Sequence, residues 1–181
     1  MMNEVIDSLE NLQAEIHELA IKIKAALIER GEMMATAESC TGGLVASSIV
    51  NEAGSSAILK GGIVAYQNEV KAALLGVPEA ILSTKGAVSA ETVEAMAKGA
   101  IQQFNCEWAV STSGIAGPGG AEPGKPVGTV WMCVANRQMC KSFYNIFSGN
   151  REKIREKSVY KVLSELLFAI NNQKSTCTNE H

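Results

Sequence analysis

Three stretches of the chain bring together residue types able to do chemistry. In Thr36-Ala37-Glu38-Ser39-Cys40-Thr41-Gly42-Gly43, hydroxyls stand beside two glycines where a strand passes into a helix. Backbone N–H groups at a helix start can receive a phosphate or a developing oxyanion, and glycine lets a ligand come close. The same pattern also fits an N-cap followed by tight helix packing. In the second stretch, Gly61 to Lys71, Tyr66 is expected to end a strand and Lys71 to lie on the helix after it. A serine hydroxyl is a weak nucleophile until a base takes its proton. The only histidines are His17, in a charged helix, and His181, at the terminus. The available base is therefore a lysine whose pKa is lowered by burial or nearby positive charge, with Tyr66 able to relay the proton. By spacing alone, a lone lysine is usually a solvated surface group.

The third stretch, Ser111-Thr112-Ser113-Gly114-Ile115-Ala116-Gly117-Pro118-Gly119-Gly120, joins a strand end to a glycine loop. Such loops are where α/β sheets place ligands. It is neither a G-x-G-x-x-G fingerprint nor a Walker A loop, so neither dinucleotide nor ATP binding follows, and a plain connection is the alternative. Lys125, Gly128 and Thr129 could close over a ligand. Arg151 could pair with a phosphate, or lie on the surface as most arginines do.

The elements that must position these residues follow from periodicity. Val5, Leu9, Leu12, Ile16, Leu19, Ile23 and Leu27 recur at three and four residues, which predicts one amphipathic helix closed by Gly31. Strands are expected at Met33–Ala37, Gly62–Tyr66, Trp108–Ser113, Thr129–Ala135 and Lys141–Phe147. Helices are expected from the Ser39–Gly43 turn to Val50, up to Leu75, from Ser89 to Phe104, and from Asn150 onward. Ser89 reads as an N-cap with Glu91 in the first turn. Strands alternating with helices, plus one hairpin at 136–139, predict a single-domain α/β/α sandwich with a mixed, mostly parallel sheet. The domain is expected over 1–171, with a polar tail over 172–181.

Composition narrows the function. With 181 residues, 46% hydrophobic and 19% charged, the chain can bury a real core. Its 16 basic against 19 acidic residues, net -3, leave no footprint for nucleic acid. Charges every few residues in the first thirty exclude a signal-peptide core, and no run of about 18 apolar residues offers a membrane span. A cytoplasmic protein is expected. Five scattered cysteines without a C-x-x-C pair argue against a disulfide framework and a structural zinc site.

Taken together, Ala37 to Gly43, the Gly61-Gly62 stretch through Tyr66, Asn68 and Lys71, Ser111 to Pro118, and Lys125 to Val130 closely resemble the CinA C-terminal domain family. Four motifs in the family's order, covering most of the chain, carry that resemblance. The family includes nicotinamide mononucleotide deamidases, which release ammonia from the carboxamide. The resemblance implies Ser39 as nucleophile, Tyr66 and Lys71 as its activating network, and substrate contacts from Thr41, Gly42, Gly43, Thr112, Ser113, Gly114 and Arg151. It implies acyl transfer without metal or organic cofactor on a small-molecule nucleotide; charge and hydropathy add the expectation of no nucleic acid or membrane partner, and a homo-oligomer is expected as well. The chain is expected to hold the amidase-like domain alone, without the extra N-terminal domain of fused members. Asn150 stands where the family usually has an acidic residue; it can cap a helix but cannot pair ionically. Two rival readings remain: a noncatalytic nucleotide-binding or regulatory module, and a thiol amidase using Cys40.

Overall fold

Alternating burial makes the sheet the wall between two cores. The computed structural model describes residues 9–173. Its five strands are β1 (Met34–Glu38), β2 (Leu59–Val64), β3 (Trp108–Gly114), β4 (Thr129–Asn136) and β5 (Cys140–Ile146). They lie in the order β2-β1-β3-β4-β5. β1 pairs in parallel with β2 and β3, while β4 pairs antiparallel with β3 and β5. The sheet is mixed, as expected. Only β4 runs against the other strands, so the expected parallel bias holds for strand direction, although the four pairings divide evenly.

Six helices cover the two faces: α1 (Leu9–Arg30), α2 (Leu44–Val50), α3 (Asn68–Leu75), α4 (Glu79–Thr84), α5 (Ala90–Phe104) and α6 (Arg151–Asn172). Because side chains alternate along a strand, Met34, Trp108, Val110, Met132 and Val134 join the core with α1, α2 and α6. Their neighbours Ala35, Ala37, Ala109, Cys133 and Ala135 face α3, α4 and α5. That second set is small, which lets α5 approach closely. α5 also packs closely on α3: an added Cβ at Gly99 would lie 2.0 Å from the Leu75 carbonyl oxygen.

α1 carries the expected stripe: Leu12, Ile16, Ile23 and Leu27 are buried, and Leu9 and Leu19 are half-buried. Val5 lies outside the described residues. α1 packs along α6 in the same direction, because Gln13 Nε2 donates to Glu156 near both helix starts. At the other end, Arg30 Nη1 donates to the carbonyls of Ile170 and Gln173. Ser89 accepts from the Thr92 N–H and Asn150 from the Lys153 N–H, so both expected caps form.

Apart from shifts of one residue at strand ends, β2, α4 and α6 differ from expectation. β2 stops at Val64, two residues before Tyr66. α4, unforeseen, is six residues long and too short for a periodic pattern. α6 continues to Asn172, past the expected domain end, and positions 174–181 of the expected tail lie outside the described residues. Among the described residues no helix is long and apolar enough to cross a membrane.

Candidate active site

The β1–α2 turn is organised by a buried carboxylate. Glu38, 1% exposed at the end of β1, accepts from the N–H groups of Gly43 (2.9 Å) and Val45 (3.0 Å) through Oε2, and from Ala46 (2.9 Å) through Oε1. The Thr41 hydroxyl also donates to Oε2 at 2.7 Å. Glu38 therefore occupies the N-terminus of α2 with a charge that the helix dipole favours. This corrects the expectation that those N–H groups are open to a phosphate or oxyanion. Gly42 and Gly43 have φ of 63° and 94°, which lets the turn fold back onto the carboxylate without strain. Among the described residues, the N–H groups of Cys40 and Thr41 donate to no carbonyl or carboxylate oxygen.

Ser39 follows directly, its N–H donating to the Thr112 carbonyl so that the β1–β3 ladder runs one residue past the strand. Its side chain is largely buried, and the Lys71 Nζ lies 3.3 Å from its Oγ. Lys71 is not the surface group that spacing alone suggests: it is 1% exposed. The same Nζ donates to the carbonyls of Ala65 (2.9 Å) and Tyr66 (3.1 Å). Desolvation by burial holds its pKa below the usual 10.5. An ionised Cys40 would oppose that shift, but burial pushes the Cys40 thiol up to about 12, so it stays neutral near pH 7. In its neutral form the amine has two N–H bonds for the two carbonyls and one lone pair left for the Ser39 hydroxyl.

Tyr66 is placed differently from the relay expected of it. Its carbonyl holds Lys71, whereas its hydroxyl accepts from Arg151 Nη2 at 3.2 Å and its side chain is 56% exposed. The hydroxyl contacts neither Ser39 nor Lys71. Arg151 also donates to the Gly117 carbonyl at 2.8 Å, tying the start of α6 to the glycine loop.

Thr112 and Ser113 do not share one pocket, since successive strand residues face opposite sides. The Thr112 hydroxyl pairs with that of Thr41 at 2.7 Å, and the Ser113 hydroxyl donates to the Ala87 carbonyl at 2.7 Å. Gly114 is required by close packing, because a Cβ there would lie 2.7 Å from the Thr129 carbonyl. Lys125 reaches the Lys85 carbonyl and Glu122, Thr129 donates to Pro126, and a Cβ on Gly128 would strike the Phe147 carbonyl. These three residues hold loops together.

The sequence reading missed two residues. One is Glu38. The other is Arg155, whose Nη2 donates to the Thr41 carbonyl at 2.7 Å and lies beside Gly42. Its spacing of four from Arg151 on α6 was the available signal, since such residues share a helix face. Neither arginine pairs with a carboxylate among the described residues, and each guanidinium keeps further donors. Clefts of about 280, 290 and 390 Å³ lie elsewhere, none of them lined by Ser39 or Lys71. No group of three His, Cys, Asp or Glu side chains among the described residues is placed to hold a metal.

Comparison with known proteins identifies the family and agrees with the fold. A CinA-like protein of Anaeromyxobacter dehalogenans (strain 2CP-C) is 42% identical over 153 residues, 84% of this chain and 38% of its own length. One from Geobacter sulfurreducens is 50% identical over 127 residues, 70% of this chain and 31% of its own. The chain thus spans well under half the length of these relatives. Among solved structures, the competence damage-inducible protein A of Klebsiella pneumoniae superposes with a TM-score of 0.85 at 34% identity, covering 88% of this chain and 99% of that one. The competence/damage inducible protein CihA of Agrobacterium tumefaciens gives 0.84 at 41% identity, covering 87% and 96%. The sequence model of the CinA C-terminal domain matches residues 16–170, nearly the whole described fold, and the chain belongs to that family.

Proposed function

We propose that this protein hydrolyses the carboxamide of nicotinamide mononucleotide to nicotinate mononucleotide and ammonia through an acyl-enzyme on Ser39. The observation that carries the reading is the buried amine of Lys71 at 3.3 Å from the Ser39 hydroxyl, with its other two directions fixed by carbonyls.

In this mechanism Lys71 takes the Ser39 proton as the oxygen attacks the amide carbon. The N–H groups of Cys40 and Thr41, which meet no oxygen acceptor among the described residues, stabilise the oxyanion. Lys71 returns the proton to the departing nitrogen, and ammonia leaves. A water molecule, deprotonated by the same amine, then attacks the ester and frees Ser39. Arg151 and Arg155 supply charge for the phosphate end, while Gly42 leaves room beside it. The Tyr66 hydroxyl faces substrate together with Arg151, and its carbonyl keeps Lys71 in place.

The test is ammonia release from nicotinamide mononucleotide by the purified chain. Turnover should fall by on the order of 10⁴-fold or more in Ser39→Ala. Binding of the nucleotide without ammonia release by the wild type would overturn the reading in favour of a noncatalytic nucleotide-binding module.

A further inference from the structure

Cys133 on β4 and Cys140 on β5 take no part in that chemistry, yet their sulfurs lie only 3.4 Å apart. In the β4–β5 register Cys133 stands opposite Ser142 and Ala135 opposite Cys140, so the two cysteines are diagonal neighbours, within side-chain reach across an antiparallel pair. Both lie on the α5 side of the sheet, where the Ser142 hydroxyl donates to Glu94. Cys133 is buried, whereas Cys140 is half-buried and lines a cleft of about 390 Å³ with Lys98, Gln102, Arg137 and Met139. A small polar oxidant can therefore reach Cys140 and not Cys133.

We propose that Cys133 and Cys140 form a peroxide-reactive thiol pair that closes to a disulfide across the β4–β5 hairpin. The Cys140 thiolate attacks one oxygen of hydrogen peroxide, breaking the O–O bond and giving a sulfenic acid and hydroxide. The sulfur is oxidised by two electrons and the peroxide reduced. The Cys133 sulfur, giving up its proton, then attacks the Cys140 sulfur and the hydroxyl group leaves as water. The sum is two thiols and one peroxide converted to one disulfide and two waters. Closure requires the sulfurs to move from 3.4 Å to about 2.05 Å, and because diagonal neighbours stand about 7–8 Å apart it also draws β4 and β5 together at this point.

The electrostatics assign the same order of events. A hydrogen bond from the Cys133 thiol holds the Cys140 pKa below its usual value against desolvation, helped by Lys98 and opposed by Glu94. The same bond, with burial, pushes Cys133 upward. Cys40 and Cys106 are fully buried, and desolvation raises them to about 12 and about 11.

The test treats the purified chain with hydrogen peroxide, alkylates it under denaturing conditions and maps tryptic peptides by mass spectrometry. Trypsin cuts after Arg137, so a Cys133–Cys140 disulfide joins peptide 99–137 to peptide 138–141. The expected result is that joined species, two hydrogens lighter, reversed by dithiothreitol, with two of the five thiols lost to alkylation. In Cys133→Ser, Cys140 should instead be trapped as a sulfenic acid by dimedone. Wild-type protein in which Cys140 stays fully alkylatable, or goes to sulfinic acid without joining the peptides, would overturn the proposal.

Discussion

The Lys71 amine sits 3.3 Å from the Ser39 hydroxyl because α3 and the end of β2 converge on it: α3 supplies the side chain, and Ala65 and Tyr66 supply the carbonyls that aim it. Only the neutral amine can take the serine proton. Since burial holds the folded pKa below 10.5, kcat/KM should fall as pH drops through that lowered value and level off above it. Between the lowered pKa and 10.5 the unfolded chain binds a proton that the folded chain does not, so stability rises with pH across that window. Lys71→Met should abolish that stability slope and lower kcat/KM by roughly 10²- to 10⁴-fold. A pH-rate profile and urea titrations at several pH values measure both.

Cys40→Ala separates the two nucleophiles that stand side by side in the sequence. Because the thiol is buried and held near 12, activity should stay within about threefold of wild type, at a stability cost of about 1 kcal/mol for the lost packing. Loss of turnover with normal folding would move the chemistry to the sulfur.

Tyr66→Phe removes a hydroxyl that meets Arg151 and neither member of the dyad. KM should rise while kcat changes by less than about threefold. A fall in kcat with an altered pH profile would instead put the hydroxyl on the proton path.

Glu38→Gln replaces an acceptor-only carboxylate by an amide whose NH₂ must point at donors. One or more buried N–H groups of α2 then lose their partner, at about 1–3 kcal/mol each, and the urea midpoint should drop accordingly.

Gly99→Ala acts at a distance. The new methyl would overlap the Leu75 carbonyl at 2.0 Å, so α3 must move, and Lys71 is carried on that helix one turn earlier. A displacement of about 1 Å should cost roughly 10²-fold in kcat, with about 1–3 kcal/mol of stability. Unchanged kcat in a destabilised variant would show that α3 absorbs the strain without moving Lys71.

Long periodic or capped segments were legible. α5 matches its expected span from the Ser89 cap to Phe104, and α6 begins at its Asn150 cap. The burial of Lys71 was not legible in spacing, because the groups that cover it come from distant positions; the lack of a suitable histidine and the family resemblance marked the residue. Glu38 escaped notice since a carboxylate at a strand end ordinarily meets water, and nothing local announces that three N–H groups will fold back onto it. The direction of the Tyr66 hydroxyl depended on β2 ending at Val64, a boundary that alternation over a Gly-Gly edge strand leaves loose.

α1 and α6 lie side by side in the same direction, each of 22 residues. Leu9 and Arg151 therefore open the two helices at one end of the fold, while Arg30 and Asn172 close them about 33 Å away. A bulky label fixed on exposed Glu10 is thus on the side of the Ser39 turn and can screen it, whereas exposed Asn172 offers a handle for immobilising the protein with that turn facing the solution.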